Sequence, residues 1–126
     1  TESGEIYIAD YGNSRIQRFA ADGTFLSAWG KGGRASGQFD KPNDVAIDGA
    51  GRIYVVEDFA NRIQVFTPEG QFLTTMGTWG SDLGQFSDPL GIAVTKEGIG
   101  YVSDVDGLQA FRLVPGEASG TAIPTP

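Results

Sequence analysis

A chain of 126 residues, 40% of them hydrophobic, is long enough for one modest domain with a folded core, and that apolar content excludes global disorder. Sixteen acidic residues against nine basic ones leave a net charge of −7. The basic residues are scattered, which disfavours nucleic-acid binding, where neutralised phosphates supply most of the affinity. Cys and His are both absent, so disulfides, imidazole general bases, His-built zinc sites and Ser-His-Asp triads are excluded within this segment.

In chain order, short apolar runs alternate with turn residues. Strands are predicted over 5–9, 15–19 and 24–29, then over 44–48, 52–57, 62–66 and 71–76, and again over 91–95, 99–103 and 108–113. Their richness in Val, Ile, Phe and Tyr favours strand over helix. Gly49-Ala50-Gly51, Asp58 to Asn61 and Thr67 to Gly70 are the turns of the middle set. Val45-Ala46-Ile47 and Ile53 to Val56 are continuously apolar, the mark of strands buried on both faces. Residues 116–126, with Pro, Thr, Gly and Ser, read as a tail or linker. No run is apolar over the length of a membrane span, and no basic stretch leading into an apolar one opens the chain.

The sets are copies. Laid over 51–97 without a gap, residues 4–50 are identical at 17 of 47 positions. Tyr7 falls on Tyr54, Arg15-Ile16-Gln17 on Arg62-Ile63-Gln64, and Gly37-Gln38-Phe39 on Gly84-Gln85-Phe86. A third, shorter copy spans 98–115, with two residues deleted from one loop and the arginine lost. Four short antiparallel strands per unit, packed on both sides, describe a propeller blade. The expected fold is all-β: a partial β-propeller of four-stranded antiparallel blades over residues 1–115, about two and a half blades in this chain. Propellers close with four or more blades, so completion by more of the same polypeptide, or by another copy, is expected.

The pattern Ile53 to Val56, Asn61-Arg62-Ile63-Gln64-Val65-Phe66, Gly84-Gln85-Phe86, and Pro89 followed by Gly91 to Val94 resembles the NHL repeat. The resemblance implies a propeller, commonly of six blades, most often acting as a platform for proteins or other ligands. It also implies two enzyme relatives, amidating lyases and sugar-acid lactonases, and an RNA-binding group among animal tripartite-motif proteins.

The acid that closes the second strand of each unit (Asp10, Glu57, Asp104) recurs with Arg15 and Arg62, and this recurrence favours an architectural role over catalysis or metal binding. Asp104-Val105-Asp106-Gly107 lacks the remaining ligands of a calcium loop. Gly30 to Arg34 lacks the Lys-Ser/Thr that follows a phosphate cradle. No catalytic, cofactor-binding or metal-binding residue is predicted. Candidate partner contacts lie on loops expected to share one face: the aromatics Tyr11 and Phe59, with Asn13, Lys41, Asn43 and Asp44 as polar neighbours.

The expected function is a non-catalytic binding or scaffold module with a protein partner and no cofactor. Two alternatives stand beside it: part of a propeller lyase or lactonase whose catalytic residues lie outside this segment, and a structural subunit of a larger complex. The Thr/Pro-containing end leans towards an exported or cell-surface protein.

Overall fold

The computed structural model describes residues 1–112 and 121–123. Three antiparallel sheets follow one another along the chain. The first contains β1 (Ile6–Asp10), β2 (Arg15–Phe19) and β3 (Phe25–Trp29) in that order. The second runs β4 (Pro42–Ile47), β5 (Ile53–Glu57), β6 (Arg62–Phe66) and β7 (Phe72–Met76). A short parallel pair, β8 (Thr78–Trp79) and β9 (Gln85–Phe86), leads to the third sheet. That sheet contains β10 (Gly91–Val94), β11 (Ile99–Asp104), β12 (Gly107–Arg112) and β13 (Thr121–Ile123). Every sheet is a meander of neighbouring strands, the architecture of propeller blades. The first two blades share a bulge at the same repeat position, between Arg18 and Phe19 and between Val65 and Phe66.

Side chains alternate across each strand, so every blade offers one face to the blade before it and one to the blade after. Tyr7 and Ile16 of the first blade meet Ile53, Val55 and Phe66 of the second in one buried cluster. Tyr54, Val56, Ile63 and Val65 meet Ile92, Val102 and Phe111 of the third in another. The continuously apolar run at Ile53 to Val56 thus serves two interfaces at once, and all four residues are fully buried. The loops between blades add a plug to each cluster, Phe39 to the first and Phe86 to the second. Gly77 makes room for that plug. It adopts a φ of +96°, and a Cβ there would strike the Phe86 ring. Gly30 stands in the same relation to Phe39.

The ten predicted strands are present with small shifts of their ends, and the differences have local causes. β4 begins at Pro42, two residues before the predicted 44, because Pro42 pairs with Glu57 across a register shift. Residues 121–123 form β13, paired to β12 through Arg112↔Thr121, where a tail was expected. The third sheet therefore has four strands rather than three. The remainder of 113–126 lies outside the described residues. The parallel link β8–β9, echoed by a bridge between Gly32 and Phe39 in the preceding loop, carries no apolar periodicity that would reveal it.

Candidate functional site

The recurring acid, arginine and glutamine form one station in each unit. In the second blade Glu57 and Arg62 face each other across β5 and β6, and Gln64 follows two residues on. The fully buried Glu57 carboxylate accepts from Arg62 Nε at 2.6 Å, from Gln64 Nε2 at 2.8 Å and from the Asp40 amide at 2.8 Å. Arg62 then donates to the carbonyls of Arg34 (2.7 Å) and Gln38 (3.0 Å). Gln64 accepts from the Gly37 amide at 2.9 Å and donates to the Gln38 carbonyl at 2.6 Å. Three side chains thereby hold backbone groups of residues 34–40, a loop whose own backbone pairing is confined to a turn and the Gly32–Phe39 bridge.

The third blade repeats part of this. Asp104 accepts from the Ser87 amide at 3.1 Å, while Gln109 accepts from the Gly84 amide at 2.9 Å and donates to the Gln85 carbonyl. In the first blade the same groups close on themselves. Asp10 accepts from Arg15 (2.8 Å), Gln17 (3.0 Å) and Asn13 (3.0 Å). Those three donors hold its carboxyl below the ordinary carboxylate range, Arg15 contributing most. Gln17, Gln64 and Gln109 are thus station members that the sequence reading overlooked. Their signal was available, since a glutamine recurs in the same place within otherwise apolar strands.

A second assembly gathers on the face that carries the β1–β2, β5–β6 and β3–β4 loops. Lys41 Nζ lies 5.0 Å from the centre of the Tyr11 ring, a cation–π contact between the first blade and the second. The Lys41 carbonyl accepts from the Asp58 amide at 3.1 Å. Phe59 is 52% exposed and Tyr11 39% exposed. The other candidates bond within the protein: Asn13 holds Asp10, Asn43 donates to the Leu90 carbonyl at 2.8 Å, and Asp44 accepts from the Ile92 amide at 2.9 Å. Asn43 and Asp44 therefore tie the second blade to the third. Burial pushes the Asp58 carboxyl above its ordinary range, and the nearby Asp88 and Asp40 push in the same direction. Among the described residues, no group of three or more His, Cys, Asp or Glu side chains is arranged to hold a metal ion. No helix among them is long and apolar enough to cross a membrane.

Successive meander sheets, packed face to face and joined by plugged loops, define a segment of β-propeller. Two solved structures share that fold. A streptogramin B lyase matches with a TM-score of 0.70 and 17% identity, over 100% of this chain and 39% of that one. The virginiamycin B lyase of Staphylococcus aureus matches with a TM-score of 0.62 and 21% identity, over 97% of this chain and 39% of that one. The chain thus spans about two fifths of the length of either lyase. No curated protein sequence matches it. The family model for the NHL repeat matches residues 1–19, the stretch that contains β1, the Asp10–Arg15 pair and β2. The chain is a segment of β-propeller, and the part of its first blade within residues 1–19 is similar to the NHL repeat.

Proposed function

We propose that this segment is a non-catalytic binding module of a larger propeller and takes a protein partner on the Tyr11–Lys41–Phe59 face. The observation that carries the proposal is the exposure of Tyr11 and Phe59 at loop positions where the two copies differ. Tyr11 corresponds to Asp58, and Phe59 to Gly12. Repeated residues build the blades here, and unrepeated exposed aromatics are the kind of side chain that anchors partners. The Glu57–Arg62–Gln64 station supports a non-catalytic reading, because its polar atoms are committed to one another and to the backbone of the 34–40 loop.

A photo-reactive benzoylphenylalanine at position 59, compared with one at position 72 on the outer strand β7, tests this. A discrete adduct from position 59 that Tyr11→Ala abolishes is the expected result. Equal labelling from both positions would overturn it.

A second reading, a segment of a propeller lyase completed by residues outside this chain, draws support from the two lyase structures that share the fold. Incubation of the complete propeller polypeptide that contains this segment with virginiamycin B separates the two readings. The binding module leaves that compound intact, and its consumption would favour the lyase.

A further inference from the structure

The third blade lacks the arginine of the other two, and the cause is local. Opposite the acid, the register places Arg15 in the first blade and Arg62 in the second, but Gly107 in the third (Asp10↔Arg15, Glu57↔Arg62, Asp104↔Gly107). The β11–β12 loop is two residues shorter than its counterpart. Its tight turn sets Gly107 at a φ of +135°, a conformation that favours glycine over any residue with a side chain.

Among the described residues, no side chain fills the space that a guanidinium fills in the second blade. A cavity of about 380 Å³ lies between the 81–83 loop and the β11–β12 turn, lined by Ser81, Asp82, Asp104, Asp106, Gly107 and Gln109. Its walls correspond to the groups that hold Arg62. The carbonyls of Arg34 and Ala35, which accept from Arg62, lie at the repeat positions of Ser81 and Asp82. The carboxylate of Glu57 is replaced by that of Asp104. Among the described residues, three acids line the cavity and no basic residue does. Leu83 and Leu108 supply apolar wall for a methylene stem.

We infer that this cavity is a binding site for a guanidinium group, which would dock against Asp104 and the loop carbonyls as Arg62 docks against Glu57 and the 34–38 loop. The same chain shows, one blade earlier, a socket of the same construction with a guanidinium in it, at 2.6 Å from the carboxylate and 2.7 Å from the first loop carbonyl. A planar fork of donors suits a carboxylate flanked by carbonyls, whereas an ammonium is a compact point charge without that shape.

The test is titration of the isotopically labelled 126-residue chain, followed by backbone amide NMR. The probes are N-acetyl-arginine amide, N-acetyl-lysine amide and guanidinium ion. The expected result is saturable shifts confined to residues 81–85 and 104–109 with the arginine probe, and about tenfold weaker binding of the lysine probe. Asp104→Asn keeps an oxygen for the Ser87 amide, gives up the bond from the Asp106 amide and removes the charge, and weakens arginine binding by about tenfold. Asp82→Asn, at an exposed loop position, weakens it less and serves as the variant least able to disturb the blade. Guanidinium ion binding as well as the arginine probe points to a small guanidino compound. Tighter binding of the arginine probe points to an arginine side chain whose stem packs on the leucines. Absence of saturable shifts, equal binding of lysine and arginine, or indifference to both variants would each overturn the assignment.

Discussion

The second blade is enclosed on both faces and the first on one, and the same residues behave differently in the two settings. Ile53 and Val55 are fully buried against the first blade, while their counterparts Ile6 and Ile8 are 49% and 45% exposed. The Glu57–Arg62–Gln64 station grips a loop, whereas among the described residues the side chains of Asp10, Arg15 and Gln17 bond to one another and to Asn13. Sequence identity between copies therefore does not fix energetic worth. A repeat residue acquires its contribution from the neighbouring blade it meets.

The largest expected effect comes from the station. Glu57→Ala leaves the 14%-exposed Arg62 side chain without its carboxylate and is expected to cost about 3–5 kcal/mol in a urea titration. Asp10→Ala, at the same repeat position, is expected to cost far less, because Arg15 is 43% exposed and water replaces the lost partner. Equal losses would break the comparison.

Next in size is the apolar face. Ile53→Ala is expected to destabilise by about 2–5 kcal/mol through loss of burial and the cavity left behind. Ile6→Ala is expected to change stability by no more than about 0.5 kcal/mol. A matching loss at Ile6 would show that its face is covered in solution, which sharpens the comparison by locating a further contact.

Much of this was legible from residues alone. The repeat period and the ten blade strands followed from Tyr7 on Tyr54, from the doubly apolar run at Ile53 and from the return of Arg15 as Arg62. Other features could not be read in the same way. The pairing of β8 with β9 and the attachment of β13 are made by backbone groups, which every sequence has. The exchange of Asn43 and Asp44 from surface candidates to ties between blades depends on where Leu90 and Ile92 arrive, a distance of about one repeat along the chain. The cavity beside Asp104 is the clearest case. The missing arginine was visible, but an empty socket is a property of the walls around it.

The smallest effects are electrostatic, and they have opposite signs at the equivalent loops of two successive repeats. Asp10 has a carboxyl held below its ordinary 3.8 by Arg15, Asn13 and Gln17. Its contribution is fully present above that unfolded value and is lost as pH falls through the lower folded one. The stability gap between the native chain and Asp10→Asn should therefore close on acidification. Asp58, four residues before Arg62 and corresponding to Tyr11, has a carboxyl raised above 3.8 by burial, Asp88 and Asp40. A raised carboxyl disfavours the folded state once it ionises, so its penalty is absent below the unfolded value, grows as pH rises towards the folded one and is complete above it. Asp58→Asn should accordingly stabilise the chain modestly at neutral pH and have no effect at pH well below 3.8, as read from thermal midpoints across a pH series. A gain that persists unchanged into acid would mean that Asp58 acts through packing rather than charge, and would remove the electrostatic contrast between the two loops.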